Sequence, residues 1–160
     1  MSPEHQAIIE GIRASAVAVQ RAAQAVRPGR EGVASREGEW SPREALIHPR
    51  AAVMLAHGLR IRRLVYEADP VFADFDEASY RRAALDGNEP LSELVAGIVA
   101  EHEQIARLLS TVPDADWRRQ GRHPTLGAMS IELLARRAAE HAQEHAAQVA
   151  SVARADGPAR

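Results

Sequence analysis

The chain has no cysteine among its 160 residues. That excludes disulfides, thiolate metal ligands and a cysteine nucleophile at once. It also has no lysine, so all 20 basic residues are arginine. We read this as coding bias, because the formal charge of −2 lacks the basic excess of a nucleic-acid binder. Aromatic residues make up only 4%. A β-sandwich core, which leans on aromatic and β-branched side chains, is thereby disfavoured. No apolar run is long enough to span a bilayer, and the opening MSPEHQAIIEGIR is too charged for a secretory leader. The expectation is a cytoplasmic protein with neither a membrane nor a nucleic-acid partner.

What is present is a 46% apolar content carried by Ala, Leu, Val and Ile, which suits closely packed helices. Four long helical segments can be read. Ser2 and Pro3 open the first, which Pro28-Gly29 closes after Val26. The second opens on Trp40-Ser41-Pro42-Arg43-Glu44, a capping box with proline at the first helical position, and runs to about Glu67. Pro49 lies inside it, and its missing N–H predicts a kink. A long connection from Ala68 to Glu89 holds a short helix near Glu77 to Ala84. The third helix, Pro90 to Thr111, carries the stripe Leu91, Val95, Ile98, His102, Ile105 and Leu109. Residues 113 to 129 read as loop. Ser130 caps a fourth helix reaching about Ala155, and the last five residues should fray. The fold class is all-α, a four-helix bundle with a long connection between helices 2 and 3, in one domain over residues 1–155.

The chemistry rests on seven histidines: His5, His48, His57, His102, His123, His141 and His145. His141 and His145 are four residues apart, and such neighbours lie roughly 5–6 Å apart on one helix face. That spacing alone is weak evidence. The apolar stripe of the fourth helix, Ile131, Leu134, Ala138, then His141, His145, Gln148 and Val152, places both toward the interior. There they serve either as a metal pair or as solvated or singly hydrogen-bonded side chains. A metal needs a third ligand, and His48 borders the inner face of the second helix, which reads Ile47, Ala51, Met54, Leu55, Gly58, Ile61 and Val65. His57, nine residues on, falls half a revolution away in an α-helix and should point to solvent. His102 is a reserve ligand or catalytic base, His123 can approach from a loop, and His5 is inert. Three neutral nitrogens suit Zn2+, Ni2+ or Fe2+ and leave an open position. The string His141 to His145 fits the H-x-x-E-H pattern of one protease class. Those enzymes draw a ligand from far downstream, and only 15 residues follow here. Glu144 is either a base beside the metal or a solvated helix residue.

Four strings carry a resemblance to a known family: WSPREALIH at Trp40 to His48, FDE at Phe75 to Glu77, DWRRQGRHPTLG at Asp116 to Gly127, and EHAQEHAAQV at Glu140 to Val149. Together they resemble the DinB/YfiT-like metalloenzymes. The resemblance implies a four-helix bundle, often dimeric, with the metal on His48, His141 and His145. It implies activities that include S-transferases using bacillithiol or mycothiol and a mycothiol-dependent maleylpyruvate isomerase. Others in the family are described as metal-dependent hydrolases or stress-associated proteins. On the transferase reading the metal lowers the pKa of a thiol cosubstrate that attacks a small electrophile, and Arg122 binds a carboxylate of that thiol. A water-activating hydrolase and a non-catalytic dimeric scaffold are the alternatives. The family pattern often has Leu-x-Asp after the helix-2 histidine and Asp after the first histidine of the last pair. Here these positions hold Pro49-Arg50-Ala51 and Ala142, which removes carboxylates that could tune the metal.

Overall fold

A computed structural model describes residues 1–155. The fraying expected of residues 156–160 lies outside them. Helix α1 spans Pro3–Gln24, with the Ser2 hydroxyl accepting from the His5 amide. Helix α2 spans Pro42–Ala51 and opens on the capping box, Ser41 and Glu44 each satisfying the other's backbone N–H. It leads into a π-helical run, Ala52–Gly58, and then α3, Leu59–Tyr66. The short α4, Glu77–Asp86, is capped by Asp76. Helices α5, Leu91–Ser110, and α6, Ile131–Ala155, complete the bundle.

Helix α1 packs on α6 and α5, and α2 packs on the same two helices. Helix α1 and the α2–α3 rod therefore occupy opposite diagonals, and α2, which carries His48, lies directly against α6. Two apolar clusters fill the interior. One gathers Ile9, Ile12, Ile61, Leu64, Leu109, Trp117 and Leu134, the other Val19, Leu46, Ile47, Leu94, Ile98, Ala142 and Val149. Trp117 is fully buried and stacks on His5, with centroids 4.0 Å apart. His5 also contacts Asp114 through Nδ1 at 2.6 Å, so it has a structural role rather than none.

Three features differ from the sequence expectation. The chain continues helically through Pro49, and the irregularity falls three residues later as the π run. Proline removes a ladder bond, and the next turns relax into wider ones. Residues 120–130 hold a hairpin rather than a loop: β1, Gln120–His123, pairs antiparallel with β2, Gly127–Ser130. Its strands are short and polar, so they carry no alternating apolar signal. The His123 ring closes the turn, Nδ1 accepting from the Thr125 and Leu126 amides. Finally, the buried stripe of α6 runs through Ala138, Ala142, Ala146 and Val149, so His141 and His145 flank the stripe and are half-buried. Alanines let the helices approach closely, and the two imidazoles lie at the seam with α2.

Candidate metal centre

His48, His141 and His145 converge. Their ligand atoms all lie within 4.8 Å of one another. The ring centroids form a near-equilateral triangle with sides of 4.8, 4.8 and 4.7 Å. The Nε2 atoms of His48 and His141 are 2.9 Å apart. Nitrogens sharing a tetrahedral ion at about 2.0–2.1 Å would be about 3.3 Å apart, so the spacing fits a shared cation with a small adjustment.

The outward-facing nitrogens fix the ring tautomers. His48 Nδ1 contacts the Glu77 carboxylate, and His145 Nδ1 donates to Gln148 Oε1 at 2.9 Å. A proton held on Nδ1 leaves the Nε2 lone pair free for the centre. Glu77 stands at the start of α4, in the long connection, and supplies the kind of carboxylate that residues 49–51 and 142 lack. Trp40 packs edge-on against His48, with centroids 5.2 Å apart, and stacks near His145 at 5.9 Å. It thus walls the centre as well as closing the first turn of α2.

Burial disfavours the charged form of the two α6 rings. It lowers His141 to about 3, helped by the neighbouring His145, His48 and His57. It lowers His145 too, against the opposing hydrogen bond that His145 donates to Gln148. Three half-buried imidazoles whose ligand atoms converge form the donor set a borderline divalent ion prefers. Removing the Glu77 charge should loosen that set. Glu77→Gln is expected to weaken Zn2+ affinity about 10–100-fold while leaving the helical circular-dichroism spectrum unchanged. Equal affinity in a competition titration with a chromophoric chelator would show that Glu77 does not tune the centre.

The remaining sequence candidates are placed as follows. His57 does not point to solvent. A π turn takes up about one more residue than an α turn, so nine residues span closer to two turns than two and a half. The His57 ring consequently reaches the His141 side, with centroids 5.7 Å apart, and its Nδ1 is buried without a hydrogen-bond partner. The same phase shift exposes Met54 and buries Val53 and Ala56 in its place. Burial, then Arg60, lowers His57 to about 4. His102 is fully buried, with Nδ1 donating to the Ile98 carbonyl at 2.8 Å, and is not one of the converging three. His123 closes the hairpin, with Nε2 3.0 Å from Asp74, and stays apart from the centre. Arg122 pairs with Asp69 at 2.9 Å on the exposed face of β1. The arginines near His141 are instead Arg60 and Arg137. They line a cavity of about 400 Å3 together with His57, Glu144 and His141.

The sequence matches the DinB superfamily over residues 8–149. The chain belongs to the DinB superfamily. Among solved structures, YfiT from Bacillus subtilis is similar at a TM-score of 0.87 and 20% identity, over 99% of this chain and 91% of that one. It is described as a probable metal-dependent hydrolase with an unusual four-helix bundle topology. No curated protein matches. As a DinB-superfamily fold, the bundle brings one histidine of α2 and two of α6 to a common point. No helix among the described residues is long and apolar enough to cross a membrane.

Proposed function

We propose that the protein is a metal-dependent hydrolase acting on a small molecule, with Zn2+ on His48, His141 and His145. The observation that carries this reading is the convergence of three imidazoles, two of which, His48 and His145, have their outer nitrogens held by Glu77 and Gln148. Three protein ligands leave room for a reacting group, whereas structural zinc sites are closed by four. A bound divalent ion supplies Lewis-acid activation of a nucleophile and of the electrophilic centre it attacks. The chain's own groups do the rest. Glu144, one turn beyond His141 on α6 and exposed at the cavity wall, accepts the proton released by the nucleophile. The cavity behind His141 receives the substrate, and Leu126, Met129 and Leu133 give it an apolar wall. The description of YfiT points the same way.

A second reading keeps the same centre and changes the nucleophile to a low-molecular-weight thiol such as mycothiol or bacillithiol, making the protein an S-transferase. It is favoured by the absence of cysteine, which leaves any sulfur nucleophile to a cosubstrate. One assay separates the two. Zn2+-loaded protein is offered activated esters and amides with and without added thiol. Turnover without thiol supports the hydrolase; turnover that begins only when thiol is added overturns it in favour of the transferase.

A further inference from the structure

Arg60 is a buried cation with no carboxylate in contact among the described residues. The residue is 7% exposed. Its Nη2 donates to the Ala73 carbonyl at 3.0 Å, its Nη1 finds only the thioether of Met129 at 4.0 Å, and its guanidinium lies 5.7 Å from the centre of the Phe72 ring. Asp74 attracts it from a distance, but burial outweighs that attraction and lowers its pKa. Asp74 is itself exposed and lies 3.0 Å from His123. An arginine withdrawn from water normally brings its anion with it, because an unpaired buried charge is costly.

The surroundings say where the missing anion belongs. Arg60 lines the cavity that His141 also lines. A second cation, Arg137, stands exposed on the same wall, one turn before His141 on α6, with the Glu140 carboxylate 4.0 Å away. Glu144 is the one carboxylate on that wall, so the two arginines leave it net positive. Nitrogen donors from two helices, α3 and α6, line the space that His141 also lines.

We propose that this cavity is a carboxylate-binding subsite, in which Arg60 holds a carboxylate of the substrate and Arg137 guides it in. The substrate class is then a small organic acid bearing its reactive carbonyl or electrophilic carbon a few bonds from a free carboxylate. The proposal rests on the metal-centre reading only for the reacting end; the anion site itself is made of Arg60 and Arg137. A planar guanidinium matches a carboxylate in geometry and supplies charge-assisted donors. The apolar wall beside it receives the carbon skeleton between the two ends.

The test uses succinate, titrated by calorimetry at constant ionic strength into metal-free and Zn2+-loaded protein, with uncharged succinamide as the control. Succinate should bind the metal-free protein, and more tightly the loaded one, while succinamide binds neither. Arg60→Gln should weaken succinate binding at least about tenfold in both forms, and Arg137→Gln about threefold, as expected for a buried and an exposed charge-assisted contact. Arg60→Lys, which keeps the charge, should retain part of the affinity. It also guards against misreading a folding defect in Arg60→Gln, as does the exposed Arg137 variant. His145→Ala should lose the metal yet keep the metal-free succinate affinity, which separates failure of the metal centre from failure of the subsite. Wild-type affinity in a folded Arg60→Gln, or no succinate binding to the wild-type protein, would overturn the assignment.

Discussion

Replacing His141 by alanine is expected to abolish stoichiometric metal binding and, with it, all metal-dependent turnover. The His141 ring centroid is 4.8 Å from that of His48 and 4.7 Å from that of His145, and its Nε2 is 2.9 Å from that of His48, so it is one full corner of the converging set. Without it only two nitrogens remain. Altering a group that merely orients a ligand costs about 10–100-fold in affinity, so removing a ligand should cost more than about a hundredfold. The fold should survive, because the buried stripe of α6 runs through Ala142, Ala146 and Val149 and leaves His141 half-buried beside it.

A second signature of the same variant concerns pH. His141 is lowered to about 3 in the folded protein, against an ordinary histidine value near 6.5 in the unfolded chain. Between those values the unfolded state binds a proton that the folded state refuses. Its contribution to stability is therefore fully present above about pH 6.5 and is lost as pH falls toward about 3. His141→Ala removes that dependence. Metal-free melting curves from pH 7 to pH 4 should fall less steeply for the variant than for wild type. Parallel curves would mean that His141 is not held neutral by its surroundings.

Gly58→Ala is expected to produce a large loss of stability from a single methyl group. A β-carbon there would lie 2.5 Å from the Val53 carbonyl oxygen and 2.9 Å from Arg62 Nη1, and would collide with the Glu101 carboxylate. The side-chain atoms can move, although the Arg62–Glu101 ion pair would have to open. The carbonyl cannot move without rewinding the π run that ends at Gly58. Overpacking of this kind costs about 1–3 kcal/mol. For a domain of this length each kcal/mol lowers the melting temperature by about 2–4 °C, so a drop of about 2–12 °C is expected. Gly32→Ala, where nothing lies within 4 Å, is the matched control and should melt with wild type. If Gly58→Ala also melts with wild type, the π run is not held in place by this close approach.

The π run also marks the boundary between what could be read in the sequence and what could not. The Ser2 and Ser41 caps, the helix at Glu77 and the stripe of α5 follow from local rules, and each was legible. The convergence of the three histidines was legible because His141 and His145 share a helix face by spacing alone, and because His48 precedes the irregular segment and so keeps its α-helical phase. His57 was not legible. Its direction depends on how many residues the intervening turns consume, and that is settled by packing around Gly58 rather than by spacing. Glu77 was quoted within its motif but given no role, since only the path of the connection brings α4 back over His48. The hairpin was missed because Gln120–His123 and Gly127–Ser130 are held by backbone pairing and by the His123 ring, with no apolar alternation to announce them. Arg60 and Arg137 belong to the same class. Arginine pairs on helices usually face water, and only the tertiary arrangement shows one of them buried beside the histidines.

The central claim is that residues from α2 and α6 hold one cation between them. Its most direct test is anomalous diffraction at the zinc edge from crystals soaked in stoichiometric Zn2+. The account predicts a single dominant peak within bonding distance of Nε2 of His48, His141 and His145. A dominant peak elsewhere, or no peak among these three rings at full occupancy of Zn2+ in the soak, would contradict it.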